Sequence, residues 1–288
     1  MNIAIASGKG GTGKTTVAVN LAALMRQKNL EVAVVDCDVE EPNVQFFLNP
    51  TWDKEWTETM FVPRIDEDKC LGESCRKCVE LCEFKALIWM VNSVMVFDEL
   101  CHGCNLCKLA CPADAVLDST RDLGRVRVGS ADGIRVYGGL LRVGEAMATP
   151  LIRTVKRAAQ KEENQIWDCP PGTACPVIAA LNGADFAVLV CEPTPFGLHD
   201  LKLAVELARV LSIPFGVVIN RAGMGDRRVE EYLERENIDL LASIPHSLEA
   251  AQAYSKGELL IDSITEARAG FETLWSNILR KTADKATA

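Results

Sequence analysis

The chain has 288 residues, 48% of them hydrophobic, and a formal net charge of −9. That length allows one large α/β domain plus a small second one, and the acidic balance argues against a general nucleic-acid binder, whose domains are usually basic. No run of about 18 apolar residues occurs, so a membrane association is not expected, and the absence of a basic leader and cleavage site makes a cytoplasmic location the expectation.

The opening run Asn2-Ile3-Ala4-Ile5-Ala6 is apolar and ends at a glycine-rich turn, which predicts a buried strand. Val17, Leu21, Leu24 and Met25 recur at helical spacing over 15–28, and 32–35 predicts a second buried strand ending at Asp36. Strand, loop, helix and strand in that order open a parallel α/β sheet. Further strands are predicted at 166–167, 187–190 and 215–219, with helices at 151–160, 176–181, 198–211 and 228–236. Arg125 to Leu141, with Asp132-Gly133 between alternating runs, reads as a β-hairpin. The stripe Phe271, Leu274, Trp275, Ile278 and Leu279 predicts a last helix packed on the sheet; only Arg280 and Lys281 lie nearby, too few for a membrane-surface helix.

From about 61 to 119 the α/β rhythm stops. An interposed polar segment, 51–59, leads into a run of eight cysteines: Cys70, Cys75, Cys78, Cys82, Cys101, Cys104, Cys107 and Cys111. Cys75-x2-Cys78-x3-Cys82 matches Cys104-x2-Cys107-x3-Cys111 at an offset of 29 residues, and Ala86-Leu87-Ile88 matches Ala115-Val116-Leu117. A duplicated half-unit supplying a pair of metal sites explains the repeat. The expected organisation is therefore 1–60 and 120–288 as two parts of one α/β domain, with 61–119 inserted.

Gly8-Lys9-Gly10-Gly11-Thr12-Gly13-Lys14-Thr15-Thr16 lies between the first strand and the first helix, the context of a phosphate-binding loop. Glycines turn backbone N–H groups toward phosphate oxygens, and the helix N-terminus adds partial positive charge. Lys14 is placed to reach the β- and γ-phosphates, and the Thr15 hydroxyl to ligate Mg2+.

Lys9 makes this the deviant form of the loop. It resembles the ATPase family that includes the cell-division regulator MinD, the plasmid-partition ATPase ParA, nitrogenase iron protein and the Mrp-type cluster carriers. The resemblance covers nearly the whole chain outside the cysteine run. It implies that Lys9 crosses a dimer interface to the partner's nucleotide. It implies that Asp38, in Val34-Val35-Asp36-Cys37-Asp38, orients the attacking water near Mg2+, and that Asp168, in Ile166-Trp167-Asp168-Cys169-Pro170-Pro171-Gly172, is the strand-end carboxylate beside the metal. Asn220 and Arg221 are similar to the adenine-reading segment, and Ser243-Ile244-Pro245-His246 to the loop on the other side of the base.

Cys101-x2-Cys104-x2-Cys107-x3-Cys111-Pro112 has the spacing of bacterial ferredoxins. The fourth cysteine of such a run ligates the other cluster. One [4Fe–4S] cluster is then expected on Cys82, Cys101, Cys104 and Cys107, and a second on Cys70, Cys75, Cys78 and Cys111. The first half departs from the pattern: four residues separate Cys70 from Cys75, and Glu83 replaces the usual proline. Cys37, Cys169 and Cys191 end buried strands and read as small apolar residues. Cys169 and Cys175 lack the Cys-x-x-Cys of the Mrp-type carriers, which weakens them as a third, interfacial site.

The expected fold is thus a mostly parallel phosphate-loop sheet flanked by helices, with a small α+β bacterial-ferredoxin-like insert. The expected cofactors are ATP or ADP, Mg2+ and two [4Fe–4S] clusters. The expected activity is a slow, partner-stimulated ATPase whose nucleotide-driven dimer closure gates electron transfer. The dimer is a homodimer or a heterodimer with a sister ATPase, working with a redox partner protein that the residues do not name. An ATP-dependent cluster scaffold or carrier and a redox-sensing positioning ATPase are the alternatives.

Overall fold

The computed structural model describes residues 1–283. The elements run β1 (Asn2–Ala6), α1 (Lys14–Gln27), β2 (Ala33–Asp36), α2 (Val44–Leu48), β3 (Thr51–Ile65), α3 (Lys77–Glu80), β4 (Leu87–Met90), β5 (Ser93–Val96), α4 (Leu106–Leu109), β6 (Val116–Ala131), β7 (Ile134–Leu141) and α5 (Ala148–Ala158). They continue with β8 (Gln165–Asp168), α6 (Cys175–Leu181), β9 (Phe186–Cys191), α7 (Pro195–Val210), β10 (Phe215–Ala222), α8 (Arg228–Glu236), β11 (Leu240–Pro245), α9 (Leu248–Ser255), α10 (Leu260–Ser263) and α11 (Thr265–Ala283).

Nine strands form one sheet in the order β11-β10-β9-β1-β8-β2-β7-β6-β3. From β11 through β7 the neighbours are parallel. β6 follows β7 in the sheet through a two-residue turn, with φ 47° at Asp132 and 80° at Gly133. Positive φ at both positions is what a type I′ turn demands, and Asp-Gly supplies it. The phosphate loop leaves β1 in the middle of the sheet, where the chain order reverses on either side. Such a switch point, at the carboxyl ends of parallel strands, is where ligands of open α/β sheets bind.

Strand alternation divides the core. Ile3, Ile5, Val34 and Ile166 share a buried cluster with Val17, Leu21 and Leu24 of α1 and with Phe271, Leu274, Trp275 and Ile278 of α11. Trp167 faces the other way, where Lys156 of α5 sets its ammonium 3.7 Å from the indole centroid. That ammonium also donates to the carbonyls of Ala179, Ala180 and Asn182 at the end of α6, which neutralises the orphan acceptors of a helix C-terminus. The last helix packs against β11, where Asn277 donates to the Leu241 carbonyl at 2.7 Å. Leu279, counted with its stripe, is 44% exposed.

Two segments differ from their sequence reading. Residues 51–59, read only as an interposed polar segment, belong to the long strand β3. Its side chains are mostly exposed, so no buried face marked it. Residues 243–245, expected in a loop, end strand β11; Leu241, Ala242 and Ile244 are buried beneath α11, and that packing holds them extended.

The chain divides into two compact units: Met1–Glu55 with Val126–Leu140 and Ile152 onward, and Trp56–Arg125 with Leu141–Leu151. The division falls inside β3, β6, β7 and α5. The second unit is a structural as well as a sequence repeat. Arg76 and Asn105, each preceding a one-turn helix (α3, α4), have φ of 47° and 61°. Lys85 and Asp114 have φ of 53° and 49°. The N–H of Ala86 donates to Cys82 Sγ as that of Ala115 does to Cys111 Sγ. Gly72 and Gly103, each two residues past a cysteine, share φ of 65°. The two additional residues of the first half therefore lie beyond Gly72, taken up by a single 3-10 turn, Gly72–Ser74.

Candidate nucleotide cleft and cysteine groups

A cleft of about 350 Å³ opens in the first unit over the phosphate loop. Gly10, Gly11, Gly13, Lys14, Thr15 and Thr16 line one wall, and Asp38, Asn220, Arg221 and Pro245 are also on its surface. Gly8, Lys9, Thr12 and Asp168 belong to the same loop and strand ends without lining the cleft itself. Ile244, Ala250, Ala251 and Tyr254 add an apolar side suited to a base. Gly13 has φ of 94°, and a Cβ there would lie 2.2 Å from Asn220 Nδ2, so only glycine fits. Asn220 Nδ2 donates to the Thr12 carbonyl at 2.8 Å, which ties β10 to the loop and leaves the amide oxygen for a ligand.

At the loop's far end, Thr15 Oγ1 donates to Asp168 Oδ2 at 2.6 Å. Asp168 Oδ1 and Thr12 Oγ1 are buried and without a hydrogen-bond partner among the described residues. A divalent cation beside the phosphates would satisfy such an orphaned carboxylate oxygen, so Thr15 and Asp168 fit Mg2+. Burial pushes the Asp168 carboxyl up to about 7 and Asp38 to about 6, against the pull of Lys14 in both cases. Asp36, in register with Asp168 across β2 and β8, is also pushed up, by burial and then by Asp168.

Asp36 is one residue that motif reading left without a role. Its two oxygens accept from the N–H groups of Asp38 and Val44, each at 3.1 Å, so it shapes the segment carrying Asp38. Glu192, at the end of β9, is another. It pairs with Lys9 at 3.3 Å and with Arg221 Nη1. An acidic residue just after a buried apolar strand was the available signal for both.

In the second unit the structure gathers the cysteines in two crossed groups. Cys70, Cys75, Cys78 and Cys111 line one small cavity. The Cys78 thiol, raised by burial, has Cys70 and Cys111 beside it. Cys101, raised by burial, has Cys104 and Cys82 as neighbours, and Cys107, pushed up to about 11, faces Cys101 and Cys104. Cys101 and Cys107 are buried in an apolar core with Val62, Leu87, Val94 and Val116, and Cys70, Cys78, Cys82 and Cys111 pack against it. Among the described residues no three His, Cys, Asp or Glu side chains close around a single ion. A four-iron cube takes one thiolate at each iron, farther apart than the ligands of one ion, and the soft four-thiol donor sets fit that chemistry. Cys169 is fully buried, its thiol directed at the Trp167 carbonyl, while Cys175 is exposed at the start of α6.

Residues 3–261 match the model of the CobQ/CobB/MinD/ParA nucleotide binding domain. The chain belongs to this family. Membership makes this a nucleotide-binding domain, built on a mostly parallel sheet like that of MinD. Two uncharacterised proteins of Methanocaldococcus jannaschii are each 29% identical, one over 90% and the other over 96% of both chains. An iron-sulfur cluster carrier protein of Pyrococcus abyssi is 23% identical over 97% of this chain and 85% of its own length. Among solved structures, the septum site-determining protein MinD of Pyrococcus horikoshii, complexed with Mg-ADP, superposes with a TM-score of 0.60 at 19% identity, covering 95% of this chain and 93% of that one. Among the described residues no helix of this CobQ/CobB/MinD/ParA member is long and apolar enough to cross a membrane.

Proposed function

We propose that the chain hydrolyses ATP and holds two [4Fe–4S] clusters, and that nucleotide-driven dimer closure gates electron transfer through the cysteine unit. One observation carries the reading. The same polypeptide pairs Thr15 with Asp168 under a phosphate loop and, in a separate unit, lines one cavity with Cys70, Cys75, Cys78 and Cys111 and sets Cys104 and Cys82 near Cys101. The ferredoxin-like insert is assigned to 61–119, and the ATPase domain to 1–60 and 120–288.

In the cleft, Lys14 offsets phosphate charge, Thr15 and Asp168 hold Mg2+, and Asp38 orients the attacking water. Asn220, Arg221 and Pro245 surround the base. Lys9 is engaged by Glu192 within one chain. Closure onto a second copy, or onto a sister ATPase, transfers Lys9 to the partner's phosphates. ATP drives this only by binding the closed state more tightly than the open one. Hydrolysis is slow until a redox partner stimulates it. The clusters supply one-electron storage, and the cysteines give up their thiol protons to bind them.

The carrier reading has one specific support, the carrier proteins that align over nearly the whole chain. Two thiols of one group, Cys101 and Cys107, are buried and Cys104 is exposed; the two buried ligands favour a resident cluster there. Electron paramagnetic resonance on anaerobically purified protein, poised over a range of potentials with MgADP and then a non-hydrolysable ATP analogue, tests both. Two stable clusters whose midpoint or line shape moves with nucleotide support gating. Clusters indifferent to nucleotide refute it, and ready loss of one to an apo-acceptor favours the carrier.

A further inference from the structure

Inside the cysteine unit lies an ion pair that neither nucleotide chemistry nor cysteine ligation accounts for. Arg121, on β6, and Glu145, on the turn after β7, have side chains only 7% and 0% exposed. Arg121 Nη2 donates to Glu145 Oε1 at 3.2 Å and to the carbonyl oxygen of Cys101 at 3.3 Å. Its Nη1 faces Glu145 Oε2, and Glu99 Oε2 lies 3.6 Å away. Arg142 in turn donates to both Glu99 oxygens, at 3.0 and 2.8 Å.

Burying an arginine and a glutamate is a poor way to stabilise a fold, since the desolvation of both charges offsets most of their attraction and apolar residues of equal volume often do better. The pair also breaks the repeat. Counting back 29 residues from Arg121 reaches Asn92, an uncharged residue between β4 and β5. A guanidinium paired to Glu145 therefore sits at the Cys101 loop, and the equivalent position in the first half carries no charged residue.

We propose that Arg121 is a positioning residue that sets the redox potential of the cluster on Cys82, Cys101, Cys104 and Cys107. The inference rests on the two-cluster reading above. Reduction adds negative charge to a cluster, so a nearby guanidinium favours the reduced form and raises the midpoint. Hydrogen bonding and charge at the ligand loop are the levers by which a protein tunes such a centre. Glu145 limits the effect by neutralising part of that charge.

The test is a redox titration followed by electron paramagnetic resonance, with iron content measured on the same full-length samples. Glu145→Gln exposes the cluster to the unneutralised guanidinium and is expected to shift one midpoint upward. Arg121→Gln with Glu145→Gln removes both charges, avoids leaving a buried carboxylate unpaired, and is expected to bring that midpoint below the single variant's. Arg121→Lys keeps the charge and is expected to stay near wild type. The second midpoint stays put throughout. Midpoints that do not move, a double-variant midpoint at or above that of Glu145→Gln alone, or midpoints that move together for both clusters overturn the proposal while leaving the clusters themselves established. A wild-type chain without cluster signals overturns the proposal and the reading beneath it together.

Discussion

Thr15 Oγ1 sits 2.6 Å from Asp168 Oδ2, while the other oxygen of the same carboxylate is buried and unpartnered among the described residues. Asp168 holds its proton to about 7 in the absence of metal, and Asp38 to about 6, against an ordinary 3.8. The folded apo chain thus binds protons that the unfolded chain has released over that window. Apo stability is expected to fall as pH rises from about 4 to 7, because the folded state loses its proton-binding advantage. Mg2+ needs the ionised carboxylate, so the Mg2+ dependence of ADP binding is expected to weaken by roughly tenfold per pH unit below about 7. Calorimetric titration of MgADP at several pH values, with Asp168→Asn as the reference, checks it; a flat profile contradicts the assignment.

The buried Glu192 holds Lys9, whose side chain is one-third exposed, at 3.3 Å, and the same carboxylate holds Arg221. Releasing Lys9 must cost something before it can cross to a partner. With Lys9 partly in solvent and screened, the pair is worth about 1 kcal/mol. Glu192→Gln is accordingly expected to lower the ATP-analogue concentration for half-maximal dimerisation by about fivefold, and Lys9→Ala to abolish the nucleotide dependence. Sedimentation velocity reads both.

Asp36 accepts two backbone N–H groups that shape the Asp38 segment. In Asp36→Asn the amide turns an N–H donor toward one of them, leaving a buried donor unsatisfied at a cost of about 1–3 kcal/mol. A lower Tm is expected, with turnover reduced far more than ADP affinity. Loss of ADP affinity in step with turnover would show instead that the whole cleft had collapsed.

Crossed ligation has its own signature. Cys111→Ser and Cys75→Ser act on one group, Cys104→Ser on the other. Each single variant is expected to lose about half the iron. The Cys75/Cys111 double variant loses no more than either single one, and Cys104/Cys111 loses nearly all. Iron analysis and spectroscopy on the same samples separate this from ligation in sequence order, which would make Cys104 and Cys111 members of one group.

The features legible in the residues are those whose chemistry is local. Gly13 and Lys14 define a loop because backbone sterics and spacing alone turn the amides inward. The offset between Cys82 and Cys111 announces a repeat because each half closes its own turn, with φ above zero at Arg76 and Asn105 and a backbone N–H on each cysteine sulfur. The buried strands ending at Asp36 and Asp168 were visible for the same reason. Tertiary structure alone decided the charge network: Glu192 against Lys9, Arg121 and Glu145 against the Cys101 carbonyl, and the register that sets Asp36 beside Asp168. A charged residue carries no periodic signal of its partner, and which arginine meets which glutamate depends on how distant strands are ordered. β3 escaped notice on the same ground, since its exposed side chains show no buried face and its pairing in the sheet comes from backbone groups that every residue carries.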